Sequence, residues 1–168
     1  MSEMLSRKKS GFRIAALVCV YSILASGCGD HEEWFFRTLA DVDKADESTR
    51  SWVPNDLLPG SAGNIRVAGQ LSPSKEWCAF EFLASDSQNL KKNVKPIERL
   101  PAPVMRVPKP GVKWWPPVLT GKLDTQKISD AGYELYVVER PATSMTTEIL
   151  LFAVDWRNAR AFFYSTTY

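Results

Sequence analysis

The sequence is poor in the residues that most often bind metals. Its 168 residues include one histidine, His31, and three cysteines, Cys19, Cys28 and Cys78. Structural and catalytic zinc sites are built mainly from closely spaced cysteines and histidines, and the sequence contains no such cluster. We therefore expect no metal site, and no motif predicts another cofactor.

A long hydrophobic run is also missing. The longest apolar stretch, residues 14–24, has eleven residues, whereas a membrane-spanning helix needs about 20. Four basic residues precede this stretch: Arg7, Lys8, Lys9 and Arg13. Three small residues, 25–27, follow it and end at Cys28. The order of basic, apolar and small segments is typical of a cleaved secretory signal peptide, residues 1–27.

The segment LASGC, residues 24–28, resembles a bacterial lipobox. The resemblance implies that the Cys28 thiol receives a diacylglyceryl group, that the chain is cut before Cys28, and that the new amine is acylated. One acyl chain holds a protein only weakly, so several are needed for a durable anchor. Gly29, rather than aspartate, follows Cys28, which by the rule of enteric-type bacteria favours the outer over the inner membrane. Two alternatives stay open: an uncleaved short anchor, or a secreted protein with an unmodified Cys28.

Processing before Cys28 would change the composition. It removes 27 residues, four of them basic and one acidic, so that 141 residues with 17 basic and 18 acidic side chains remain. The formal charge of +2 becomes −1, which does not favour a nucleic-acid partner. Cys78 would be the single remaining thiol, so no internal disulfide can form and the fold must be stabilised by hydrophobic burial.

The chain after Cys28 is predicted to be one α+β domain. Residues 28–37 are assigned to the lipidated N-terminus and an acidic tether, and residues 38–168 to the globular domain. Residues 38–48 are typical of one helix with Thr38 as N-cap, and a second short helix is predicted from Ser85. Seven of eleven prolines lie in residues 95–117, which excludes a long helix or a central strand there.

Strand patterns predict about five antiparallel strands, with the short helices and the Pro/Trp-rich loop packed on one face. Residues from Asn64 to Gly69 follow a two-residue period, and residues 77–83 form a second strand with Cys78, Phe80 and Phe82 on one face, which together indicate a hairpin. Three further strands follow residue 132, and Asp155 and Asn158 provide turn chemistry between the last two.

Candidates for catalysis are weak. Ser72–Lys75 matches an S-x-x-K motif, but Pro73 places it in a turn rather than at a helix start. Cys78 shares a strand face with two phenylalanines, which predicts a buried core thiol without a base. Asp124, Asp130 and Glu134 offer carboxylates for a hydrolase, but nothing in the sequence shows that two of them converge. We predict that the protein is not an enzyme.

A basic segment that leads into two tryptophans is the main candidate for a binding surface. Its residues are Lys91, Lys92, Lys95, Arg99, Arg106, Lys109, Lys113, Trp114 and Trp115. Cations beside indoles suit an anionic lipid, a glycan or an acidic envelope protein. The alternative is a solvated loop whose tryptophans cover the sheet.

Two later segments carry a second resemblance. Residues 51–65, SWVPNDLLPGSAGNI, and residues 113–123, KWWPPVLTGKL, resemble small uncharacterised bacterial lipoproteins with Trp-Pro and L-P-x-S-A elements. The resemblance implies no activity. The sequence therefore predicts a membrane-anchored, non-catalytic lipoprotein that binds an envelope component. The alternatives are a small envelope hydrolase, and an immunity or inhibitor lipoprotein against a secreted toxin or lytic enzyme.

Overall fold

A computed structural model describes residues 31–71, 74–97, 100–141 and 147–167. The predicted signal peptide, Cys28 and Arg99 lie outside these residues. Within the described residues, no helix has the length and apolar character needed to cross a bilayer.

The described residues form an antiparallel sheet with short helices around it. The strands, in chain order, are β1 (His31–Thr38), β2 (Gly63–Gln70), β3 (Lys75–Glu81), β4 (Lys95–Pro96), β5 (Arg106–Val107), β6 (Gly121–Lys122), β7 (Glu134–Pro141), β8 (Thr147–Asp155) and β9 (Arg160–Thr167). The α-helices are α1 (Leu39–Asp43), α2 (Glu47–Arg50), α3 (Ser87–Asn93) and α4 (Thr125–Asp130). The strand order is β1-β2-β3-β9-β8-β7-β4, and β5 and β6 form a separate small pair.

Six of the strands in the main sheet are long, so the prediction of five is one too few. The additional strand is β1, which pairs with β2 from His31, opposite Gln70, to Thr38, opposite Gly63. The sheet thus includes residues that the sequence analysis assigned to the tether. Trp34 and Phe36, two residues apart, both pack against the core. This two-residue period is typical of a strand, but the acidic residues around it favoured the interpretation as a tether.

Both faces of the sheet are covered, and this corrects the prediction that the helices and the Pro/Trp loop share one face. The helix-covered face packs against α1, the 51–62 segment and α3, and includes Val67, Phe80 and Phe163. The loop-covered face packs against Ile97 and the 100–133 segment and includes Trp77 and Phe162. Successive residues are buried in β3 and β8, and a strand that is apolar on both sides requires a layer on each.

The predicted cap of the first helix is confirmed, but the single helix is wrong. The Thr38 side chain accepts from the backbone N–H of Asp41, and the Asp41 carboxylate accepts from the N–H of Thr38. The helix ends at Asp43, and a second helix starts after Asp46, whose carboxylate accepts from the Thr49 N–H at 2.9 Å. A second N-cap, at Asp46, therefore divides this stretch into two short helices.

Both predicted hairpins are present. β2 pairs with β3 and β8 pairs with β9, each antiparallel. In the β8–β9 turn, the Asp155 carboxylate accepts from the backbone N–H of Asn158 at 3.2 Å and from its side-chain amide at 2.7 Å. Ala159 completes this turn with a positive φ of 49°.

Candidate functional site

The predicted basic surface is divided between the two faces of the sheet. Lys91 and Lys92 are exposed on α3, on the helix-covered side, where the Lys91 ammonium lies 4.5 Å from the centre of the Trp156 ring. Among the cations predicted for the surface, Arg106, Lys109 and Lys113 are exposed in the segment that packs on the loop-covered side. Lys95 lies in β4 at the edge of the sheet. The structure therefore does not bring these cations together into one surface.

The two tryptophans of the predicted surface have different environments. Trp115 is 6% exposed, contacts the Phe162 ring edge-on at 6.0 Å, and donates its indole N–H to the Leu119 carbonyl at 3.1 Å. Trp114 is half-buried and donates its indole N–H to a Glu33 carboxylate oxygen at 2.6 Å. Trp115 is thus a core residue, whereas Trp114 reaches the surface and connects the loop to β1.

Trp114 forms one wall of an open groove of about 240 Å³ on the loop-covered face. The other lining side chains come from three adjacent strands and include Asn64, Arg66, Ala79, Glu81, Arg160 and Phe162. The register places Arg66 opposite Ala79, and Ala79 opposite Phe162. Side chains that are directly opposite in antiparallel strands point to the same side, so one arginine and one aromatic ring flank a small floor.

Glu81 organises the charges at one end of the groove. One of its carboxylate oxygens accepts from Arg160 Nε at 3.2 Å and Nη2 at 3.1 Å, and the other accepts from the Asn64 amide at 2.7 Å. The Asn64 hydrogen bond, together with the Arg160 guanidinium, holds the pKa of Glu81 below its ordinary value. Glu81 is therefore ionised at neutral pH and neutralises Arg160.

Arg66, Arg160 and Glu81 give the groove lining a formal charge of +1, and the Glu33 carboxylate lies beside it on Trp114. The Arg66 guanidinium lies 5.6 Å from the centre of the Phe35 ring, and Phe35 is 53% exposed. Among the described residues, no carboxylate forms an ion pair with Arg66 within 4 Å. An exposed guanidinium beside aromatic rings can bind a carboxylate or phosphate while the rings contact an apolar or cyclic group. The groove is thus suited to an anionic ligand.

The carboxylates that suggested a hydrolase have structural partners instead. The Glu134 carboxylate accepts from the Tyr136 hydroxyl at 2.5 Å and from the Trp156 indole at 2.8 Å, which lowers its pKa. Asp124 caps α4 by accepting from two backbone N–H groups, which also lowers its pKa. Asp130 accepts from Gln126 at 2.8 Å. A general acid needs a raised pKa, so the pKa shifts of Glu134 and Asp124 have the opposite direction.

The predicted burial of Cys78 is confirmed. Its side chain is 0% exposed and lies in the core of the helix-covered face, where burial raises the pKa of the thiol. Ser72 and Pro73 of the S-x-x-K match lie outside the described residues, and Lys75 begins β3. Among the described residues, no three His, Cys, Asp or Glu side chains form a group that could hold a metal ion.

The sequence analysis missed the charged residues of the groove. Arg66, Glu81 and Arg160 lie in three different strands and have no common sequence motif. The available signal was the polar position of Arg66 between the apolar Ile65 and Val67, which places its side chain on the face opposite to theirs. Comparison of the chain with protein-family models, curated proteins and solved structures finds no match.

Proposed function

We propose that this chain is a bacterial lipoprotein, anchored in the cell envelope through Cys28, whose domain binds an acidic envelope component without catalysing a reaction. The order of basic, apolar and small segments before Cys28 supports the anchor. The position of β1 is also consistent with it, since β1 starts at His31. Cleavage before Cys28 would remove none of the residues that form the described fold.

The groove beside Trp114 carries the binding part of the proposal. It combines an arginine that has no ion-pair partner within the described residues, a neutralised Arg160–Glu81 pair, and the rings of Trp114 and Phe162. Charge-assisted hydrogen bonds to a guanidinium are stronger than neutral ones, and an adjacent ring favours ligands with a flat or apolar group. The ligand class is therefore an acidic segment of an envelope protein or glycan.

The anchor is tested by the intact mass of the protein extracted from bacterial membranes. We expect a chain that starts at Cys28 and carries acyl groups, and we expect Cys28→Ser to abolish incorporation of labelled palmitate. A membrane-extracted protein with an unmodified Cys28 would contradict the anchor and leave the groove as a separate question.

The groove is tested by photo-crosslinking in intact cells, with a photoreactive phenylalanine in place of the exposed Phe35. Partners are identified by mass. We expect a defined adduct that is lost with Arg66→Glu and kept with the matched control Arg157→Glu, because Arg157 is exposed in the β8–β9 turn outside the groove. An adduct that is indifferent to Arg66→Glu, or no adduct, would refute binding at this site.

A further inference from the structure

We infer that one end of the sheet rests on the bilayer and that Leu71, in the β2–β3 turn, is its lipid-contacting residue. The inference rests on the proposed lipidation of Cys28 and names a second membrane contact that the lipobox does not supply. The partner is the apolar and interfacial region of the same bilayer that holds the acyl chains. The inference depends on three observations: the short tether, the strand register and the exposure of Leu71.

The tether is too short to let the domain move far from the membrane. Only Gly29 and Asp30 separate Cys28 from His31, the first residue of β1. An extended chain covers at most about 3.6 Å per residue, so the three steps from Cys28 to His31 reach at most about 11 Å. The start of β1 must therefore remain at the surface of a bilayer that holds a lipidated Cys28.

The register of the sheet places the β2–β3 turn at the same end. His31 is opposite Gln70, the last residue of β2, and Leu71 is the next residue in the chain. Directly opposite residues in antiparallel strands are about 4.5–5.5 Å apart between Cα atoms. The far end of β1, at Thr38, lies seven residues away, which is roughly 24 Å along the strand.

The exposed leucines at the two ends of β3 differ in what lies near them. Leu71 is 66% exposed, and Leu83, beyond the opposite end of β3, is 64% exposed. An isolated exposed leucine is unremarkable on a soluble surface, but Leu71 lies beside the chain that leads to the acyl groups. Leu71 can therefore lose its water-exposed area to the bilayer, whereas Leu83 is held away from it.

The charges at this end indicate a hydrophobic contact rather than attraction to anionic lipids. The ionisable residues in the nearby strand ends are His31, Glu32, Lys75, Glu76, Arg140 and Glu148. Three acidic residues outnumber the lysine and the arginine, so this end has no excess of positive charge to attract anionic headgroups. We expect the contact to form on zwitterionic vesicles and not to strengthen when anionic lipid is added.

The orientation also separates the groove from the anchoring bilayer. Arg66 lies four residues along β2 from Gln70, or roughly 13 Å, and Arg160 pairs with Glu81 at the end of β3 that is remote from Lys75. The groove therefore opens to the solvent above the membrane. This position suits a soluble or polymeric acidic partner better than a headgroup of the anchoring leaflet.

The experiment uses the full lipidated protein in phosphatidylcholine vesicles that contain a lipid-linked nitroxide quencher. A fluorophore is attached to Leu71→Cys, and the matched control carries it at Leu83→Cys. Cys78 is fully buried and does not take the label in the native protein. We expect severalfold stronger quenching at position 71 than at position 83. Equal quenching at both positions, or stronger quenching at 83, would overturn the inference.

A second pair of variants separates contact by Leu71 from insertion of the apolar probe. The probe is placed at the exposed Ser74, and its quenching is compared in the Leu71→Ser and Leu83→Ser backgrounds. We expect quenching to fall with Leu71→Ser alone; an unchanged signal would refute the role of Leu71. Intact mass of the same samples shows whether Cys28 is acylated. Acylated protein without preferential quenching refutes the orientation alone, whereas unacylated protein refutes the anchor.

Discussion

Replacement of Gly69 by alanine tests the tightest packing contact of the helix-covered face. A Cβ atom at Gly69 would lie 2.5 Å from two ring atoms of Trp52 and 3.0 Å from a third. The Trp52 ring cannot shift freely, because it stacks on Trp34 with a centroid distance of 5.8 Å. Gly69→Ala must therefore displace a half-buried indole or bend β2.

The expected loss in the free energy of unfolding follows from two opposing effects. Overpacking of a filled site costs about 1–3 kcal/mol, while loss of glycine flexibility in the unfolded chain returns about 0.4–1 kcal/mol. We expect a net destabilisation of about 1–2 kcal/mol. Gly60→Ala is the control, because no atom lies within 4 Å of a Cβ at that position. It should be neutral or slightly stabilising.

The assay is urea unfolding followed by far-ultraviolet circular dichroism, which does not depend on tryptophan emission. A double-mutant cycle with Trp52→Ala isolates the contact. In the Trp52→Ala background the added methyl group no longer contacts the Trp52 ring. Gly69→Ala should then lower the free energy of unfolding by less than about 0.5 kcal/mol. A single variant as stable as the wild type, or an equal cost in both backgrounds, would refute the packing argument.

Three further predictions follow from the core and the groove. Trp115→Ala should lower the free energy of unfolding by about 3–5 kcal/mol and Trp114→Ala by less than half of that, as measured by urea unfolding. Cys78 should react with a thiol reagent slower by a factor on the order of 10³ or more in the native protein than in denaturant, because reaction requires unfolding; equal rates would contradict its burial. Glu81→Gln should destabilise by less than about 1 kcal/mol at pH 7, since the pair with Arg160 is partly exposed. The folded pKa of Glu81 is lowered, so its contribution is present above the ordinary value of 4.5 and is lost as the pH falls through the folded value. The difference between the urea midpoints of the two proteins should therefore shrink as the pH is lowered.

The sequence predicted correctly those features that depend on residues close together in the chain. The Thr38 cap, the Asp155–Asn158 turn and the burial of Cys78 each depend on side chains within a few positions. The split of the first helix was missed because Asp46 has two possible roles, as a helix residue or as the cap of a new helix. Aspartate is tolerated inside a helix at a modest cost and is favoured at an N-cap, so its role here depends on the chain that follows.

The candidate site depended on information that the order of residues alone does not contain. Lys91 and Arg106 belong to the same basic segment of the sequence. They lie on different faces of the sheet, because the chain passes its edge between them. Arg66 and Arg160 are far apart in sequence and lie in one groove because β3 is placed between their strands. Strand order is a property of tertiary packing, and it decided which cations share a surface.

The position of β9 has a consequence for the order of events in biosynthesis. β9 is the last described strand along the chain, yet it lies between β3 and β8 and joins the two halves of the sheet. A nascent polypeptide that ended before Arg160 would have two incomplete half-sheets with unpaired inner edges, which invite aggregation. Completion of the sheet must therefore wait until the β9 segment has emerged from the ribosome.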